Sequence, residues 1–404
     1  MRKIMTRFAI LILSVFTVSA GATAATLPLM MKSFPNISAT TIELLMTIPS
    51  LGIIIFTPIS NIVADFIGVK RTIMTGLALI FIGGIIPAIT MNFPLILISR
   101  IVLGLGTGLL MSFSQSLIIQ LYEGRDQQKM LGLSSVFQGL GMFVMTYAAG
   151  VLLNGGWQMS YWIYLIVLPI ILLVGVYVPK TVGVIENSSS NQDSVNDSKK
   201  VDGKIWLLAL FAFMFNATFA FISIKFALLV VSRNYGTASD ASTLLGLMAF
   251  AMAAGGFIFM YVQKHWFKYT TAIGLGFATV SFLLLTISRT LWLSAIGVIL
   301  VGISVSIFMA SMIANINRMT SASQVAFSTS VVMTCANVGT LLSPYFAKGI
   351  SSVFNNLEPG FTFEAGLVIF AILFVLATFA GVNYSKLEYK ESEKVTDTNV
   401  KTQN

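Results

Sequence analysis

The sequence predicts an all-α integral membrane protein with twelve transmembrane helices in two pseudo-symmetric six-helix bundles. Three observations carry that prediction. Of 404 residues, 56% are hydrophobic and only 10% are charged, against about 25% charged in a soluble domain. The apolar residues fall in continuous runs that do not alternate, so each run can satisfy its backbone groups in lipid only as a helix. A polar stretch from Glu186 to Lys200 then divides the runs six and six.

The first run, about 8–31, follows Arg2, Lys3 and Arg7. Its Ala20-Gly21-Ala22-Thr23-Ala24 stretch imitates the cleavage site of a secretory signal. The run is nevertheless long enough to cross a bilayer at about 20 residues per span, and it reads as a first transmembrane helix. Runs at about 42–64, 72–91, 94–119, 130–153 and 160–179 complete the first set. The second set lies at about 204–232, 242–263, 268–288, 290–316, 324–347 and 362–383. The implied organisation is an N-terminal bundle over 1–180, a cytoplasmic linker over 181–203, a C-terminal bundle over 204–384 and a cytoplasmic tail over 385–404. The linker is polar enough to be expected disordered.

Lys and Arg number 24 against 15 Asp and Glu, a net charge of +9. In so apolar a chain that balance reports topology and says little about nucleic acid. With the N-terminus inside, the cytoplasmic segments hold 18 Lys and Arg and the outer loops hold four, Lys32, Arg233, Arg289 and Lys348. Both termini are therefore expected in the cytoplasm, in a multi-pass protein of the cell membrane. The single cysteine, Cys335, excludes an intramolecular disulfide, and His265 has no ligand partner nearby, so no metal site is expected.

An internal repeat supports the two halves. An offset of about 198 residues lays Gly104-Leu105-Gly106-Thr107-Gly108 on Gly302-Ile303-Ser304-Val305-Ser306 and Gly141 on Gly339. Small residues thus meet small ones where helices must approach closely.

Two segments carry a family resemblance. Asn61-Ile62-Val63-Ala64-Asp65-Phe66-Ile67-Gly68-Val69-Lys70-Arg71 ends one apolar run and starts the next. Its spacing resembles the signature loop between the second and third helices of major facilitator transporters, with Asn61 replacing the opening glycine. Arg100-Ile101-Val102-Leu103-Gly104-Leu105-Gly106 resembles the fourth-helix pattern of the same superfamily. The resemblance implies that Asp65, with Gly68, Lys70 and Arg71, forms a latch that pairs with basic loop residues, faces the start of the eleventh helix and stabilises the outward-open state. The repeat copy, Gln263 to Tyr269, lacks the acid, so the latch is one-sided. The resemblance also implies a part for Arg100 in proton coupling. Gly104, Gly108, Gly339 and Pro344 are expected to serve helix packing, with a kink at Ser343-Pro344.

Arg100 shares a helix face with Thr107, Met111, Ser114 and Gln115, a polar stripe suited to a water-filled cavity. The alternative is an arginine snorkelling to the outer interface. Lys225, about seven residues from the outer end of the seventh span, has the same two readings. Acids are scarce, and Glu43 is the best candidate to titrate with the transport cycle. Gln138, Asn216 and Asn337 join Thr107, Met111, Gln115 and Lys225 as candidate cavity or substrate residues.

These features point to a secondary active transporter, a proton-coupled exporter of small amphiphilic or drug-like compounds working by alternating access. No enzyme constellation occurs, and the absence of G-x-x-x-x-G-K-[ST] removes ATP as a direct energy source. No cofactor is expected beyond a proton gradient; the partners are a small-molecule substrate and the bilayer, for a protein acting as a monomer and not on nucleic acid. The first span carries no acid, which keeps open an uptake permease for a small organic anion. A non-transporting receptor of the same fold is the reading from another class.

Overall fold

The computed structural model describes residues 2–178, 203–320, 324–356 and 358–379. Nearly all of the predicted linker and the whole of the predicted tail lie outside the described residues. Ten helices are long and apolar enough to cross a membrane. They are α2 (Ala39–Ile67), α3 (Val69–Ile89), α4 (Phe93–Leu121), α5 (Lys129–Gly155), α6 (Trp157–Tyr177), α7 (Ile205–Ser232), α8 (Ala238–His265), α9 (Phe267–Ile287), α10 (Leu291–Met319) and α12 (Pro359–Phe379). The bent pair Met5–Phe16 and Ser19–Ser33 forms α1, and the more polar α11 spans Val325–Val353. That makes twelve segments among the described residues, in the expected order.

The α2–α3 turn at Gly68 marks one side of the molecule, the hairpin side; the α1–α2 connection marks the far side. Four helices that start on the far side, α2, α4, α8 and α10, are capped by short polar side chains. Ser38 accepts from Thr41 N, Asn92 from Leu95 N and Thr290 from Leu293 N, while Thr237 and Asp240 form a reciprocal capping box. Each cap satisfies a backbone donor that the helix leaves unpaired. On the hairpin side, Gly68 joins α2 to α3 in one residue at φ +87°, a conformation that favours glycine.

The first span departs from the expected continuous helix. It bends by 46° between Phe16 and Ser19, and Ser19–Thr26 is a 3₁₀ stretch with Thr23 at non-helical φ −102°. The cause is the small-residue tract Ser19-Ala20-Gly21-Ala22-Thr23-Ala24-Ala25-Thr26. It offers little side-chain packing along the helix axis, and its slim backbone lets α7 and α8 approach it directly.

Close approach follows the repeat. Gly104 leaves no room for a Cβ against the Pro49 backbone, and Gly302 is equally tight on Met248 O. Gly141 packs on the Val15 side chain, and Gly339 packs on the Phe213 backbone. Each second contact lies about 198 residues after the first, so the offset read from the sequence is the offset of the packing. Gly108 seats against Gly52 and Ile53 of α2. α11 continues as helix through Pro344, beside which Ser343 Oγ donates to Ala217 O of α7.

The halves meet mainly through α5 with α8, α2 with α11, and the Ser19–Ser33 part of α1 with α7. Along α5 and α8 the contact is graded. At the far end Ser239 Oγ donates to Gly150 O and Ser242 Oγ to Thr146 O, both at 2.7 Å. Deeper, Gly246 lies against Phe143 and Gly139 against Ala253. One more step toward the hairpin side, Gly132 on the Gly139 face and Gly256 beyond Ala253 have no neighbour within 4 Å. Along α5 and α8 the two halves converge on the far side and part toward the hairpin side.

Candidate functional site

The strongest link across the interface is an ion pair. Glu43 sits in the first turns of α2, and Lys225 lies seven residues before the far end of α7, about 10 Å deep at 1.5 Å per residue. Lys225 Nζ reaches Glu43 Oε1 at 2.5 Å. The side chains are 16% and 2% exposed, so Lys225 faces the opposite half and does not snorkel to the interface. One turn below, Thr47 Oγ1 donates to Leu341 O of α11 at 3.4 Å. Two buried opposite charges hold together far better than either stands alone, because each alone pays a desolvation cost of several kcal/mol.

Arg100 is the second buried charge. It is 1% exposed, so it neither snorkels nor opens onto solvent in this conformation. Its guanidinium lies 4.4 Å from the ring centre of Tyr161 and 5.9 Å from that of Tyr164, both on α6. Such stacking stabilises a desolvated cation by about 2 kcal/mol. Among the described residues no carboxylate pairs with it, and its polar neighbour is the Tyr164 side chain. The tyrosine hydroxyls are turned to α1: Tyr164 donates to Ser19 O at 2.9 Å, and Tyr161 lies 3.3 Å from Thr26 Oγ1. Thr23, in the 3₁₀ stretch, is buried beside the Tyr164 side chain. Tyr161, Tyr164 and the break in α1 were not foreseen. Their signals were present, two tyrosines three residues apart and a tract of eight small residues, but neither is specific by itself.

The other candidates are dispersed. Thr107 is buried and bonds back to Leu103 O, while Asn216 and Asn337 bond back to Ala212 O and Met333 O on their own helices. Gln138 Nε2 donates to Thr17 Oγ1 at 2.7 Å, tying α5 to α1 beside its break. Met111 is 42% exposed. The side chain of Gln115 lies outside the described residues. At the hairpin, Lys70 Nζ donates to Gly175 O at 2.5 Å and closes the carbonyl end of α6. Asp65 and Arg71 are exposed, and Asp65 has no ion pair among the described residues. Residues 321–323, just before α11, lie outside the described residues.

On the hairpin side two contacts of charged residues each lie within one half. Arg7 pairs with Asp126 at 3.7 Å in the first half, and Arg318 stacks on Phe267 in the second. The fold and site therefore define a polytopic membrane protein of two helical bundles, locked together on one side by a buried ion pair. A sequence profile of the Major Facilitator Superfamily matches residues 9–268 and 205–403, and the chain belongs to that superfamily.

Individual relatives match over shorter stretches. The uncharacterized MFS-type transporter YfiU of Bacillus subtilis is 31% identical over 133 residues, 32% of this chain and 25% of that one. The multidrug efflux pump SdrM of Staphylococcus aureus is 27% identical over 135 residues, 33% of this chain and 29% of that one. These alignments thus span only about a quarter of the relatives' length. Among solved structures, the nucleoside transporter NupG superposes with a TM-score of 0.79 over 93% of this chain and 99% of that one, at 12% identity. A bacterial homologue of the lysosomal transporter Spinster gives 0.73 over 95% and 98%, at 14% identity. At these identities the likeness is one of fold.

Proposed function

We propose that this protein is a secondary active transporter that exports small amphiphilic, drug-like compounds, driven by a proton gradient, through alternating access. The observation that carries the reading is the buried Glu43–Lys225 pair, an acid of one half held by a base of the other. By the charge asymmetry of its loops the hairpin side faces the cytoplasm, so the conformation is inward-facing with its outer gate shut. Both termini then lie in the cytoplasm and the protein acts as a monomer in the cell membrane.

The cycle follows from what the pair can do. It persists only while Glu43 is ionised. Opening outward separates the two halves there and exposes Glu43 to outside protons. A protonated Glu43 carries no unpaired charge into the closing interface, so the empty carrier can return inward; Lys225 then displaces the proton as the pair re-forms, and the proton leaves through the inward-open side. The multidrug efflux relative supports the substrate class, as do the Met- and Phe-rich spans. The experiment is transport of permeant dyes into everted vesicles. Accumulation that collapses with a protonophore supports the reading; dye movement that ignores the protonophore contradicts it.

A second reading, uptake of a small organic anion, is favoured by one observation: Arg100 is buried without an acid. In the same assay, inhibition by carboxylates with no dye movement would select it.

A further inference from the structure

The inward part of the spans is free of charge. On the hairpin side of Glu43, Arg100, Lys225 and Glu364, no span holds an Asp, Glu, Lys or Arg before its terminal turn. An ion enclosed there would stay desolvated without a countercharge. Recognition falls to neutral side chains, and two amides lie just beneath the closed contacts of the far side, one in each half.

Gln138 is on α5 beside Gly139, at the last level where α5 touches α8. At about 100° per residue it shares a face with exposed Ser135, and both point away from the exposed apolar Leu133, Leu140 and Val144. That polar face borders the space between the halves and not the lipid. Gln138 Nε2 donates to Thr17 Oγ1, and Thr17 in turn donates to Ser14 O, so the amide has only one allowed orientation. The carbonyl oxygen is the atom left over.

Asn337 is on α11, one turn inward of Leu341, whose carbonyl accepts from Thr47 of the first half. Ser330 and Thr334, both exposed, continue the same face toward the hairpin side, a polar stripe that suits water and not lipid. Asn337 Nδ2 donates to Met333 O; a carbonyl can only accept, so here too the amide oxygen is left over. Among the described residues no group donates to either oxygen, and both side chains are only half-buried.

We propose that Gln138 and Asn337 are the hydrogen-bonding groups of a cargo site, and that this site takes uncharged amphiphiles carrying hydroxyl or amide N–H donors. The proposal narrows the exporter reading above and rests on it. Each oxygen accepts one donor from the bound molecule, whose apolar body lies against charge-free walls. Cations and carboxylates are refused because nothing in the inward path pairs with them. One neutral molecule leaving for one proton entering at Glu43 moves one net charge per turn of the cycle. Export then draws on the membrane voltage as well as on the pH difference.

The test is equilibrium binding to purified full-length protein in lipid nanodiscs, using one scaffold in three charge states. Chloramphenicol is uncharged and carries an amide N–H and two hydroxyls; its hemisuccinate is an anion, and its deacylated amine is a cation. The native protein binds chloramphenicol, and binds each ion at least about tenfold more weakly. The methyl ester of the hemisuccinate, with its charge removed, recovers most of the loss. Gln138→Leu and Asn337→Leu each weaken chloramphenicol binding by about three- to tenfold. Asn337→Asp supplies the missing countercharge and reverses the order, so that the amine binds more tightly than chloramphenicol. If the leucine variants do not fold, N337D alone decides. The proposal is overturned by an ion that binds the native protein as tightly as chloramphenicol does, by no binding of chloramphenicol, by leucine variants that bind it unchanged, or by an unchanged order in N337D. Binding needs no gradient, so a failure of proton-driven transport in vesicles with this order intact would strike the exporter reading alone.

Discussion

Glu43 and Lys225 are 182 positions apart in the chain and belong to different six-helix bundles, yet their charged atoms meet in a site almost closed to solvent. The relationship gives the far side of the molecule a lock made of one acid and one base. It also sets the energetic terms of opening. Separating the pair leaves two charges that must find water, a proton or new partners.

Removing one member of this lock should cost more than the lock is worth. K225A leaves a buried, uncompensated carboxylate and is expected to destabilise the described conformation by about 3–5 kcal/mol. K225E places two acids together and should lower the unfolding temperature further. The charge swap E43K/K225E should recover most of that loss in the same thermal assay.

The graded contact of α5 and α8 predicts opposite behaviour for two glycines on one face. Gly139→Val collides with Ala253 and should weaken the closed outer side, read as lower thermal stability of the purified protein. Gly132→Val meets open space here and should leave stability unchanged. It should nonetheless abolish turnover, because the inner ends of α5 and α8 must close on each other in the outward-facing state.

Much of this architecture was legible in the sequence. Twelve spans, their order and the 198-residue repeat follow from hydropathy and small-residue spacing, because lipid permits so few solutions for a backbone. The site was legible only in part. Glu43 and Lys225 stood out as charges in spans, but no local pattern says that residues on α2 and α7 meet. Tertiary packing alone decides it. The bend in α1 was hidden for the same reason: a run of small apolar residues reads as helix until the partners that press on it are known. Arg100 was placed on a polar stripe, whereas its guanidinium turns into the bundle toward Tyr161 and Tyr164.

Gly68 carries the α2–α3 turn at positive φ, so Gly68→Ala should cost about 1–2 kcal/mol. Gly68→Asn should cost about as much, because φ +87° with ψ 145° lies outside the left-handed region that asparagine visits. Thermal unfolding of the two variants side by side checks that both are destabilised.

Proton coupling should reside in Glu43. With E43Q the carrier has no proton to exchange, and reconstituted vesicles should show dye equilibration without accumulation. A pH indicator trapped in the same vesicles should register no substrate-driven proton movement. Accumulation by E43Q at the rate of the native protein would move the coupling site elsewhere.

The central claim is that the Glu43–Lys225 pair holds the outer side shut while the two halves rock as units. Spin labels on Asn36 and Ser352 report the far side, and labels on Phe66 and Met319 report the hairpin side; all four positions are exposed on opposite halves. Distances measured in the native protein and in K225Q decide the matter. The account predicts that K225Q lengthens the Asn36–Ser352 distance and shortens the Phe66–Met319 distance together. A K225Q protein in which both distances match the native ones, or in which the far side lengthens with the hairpin side unmoved, would contradict it.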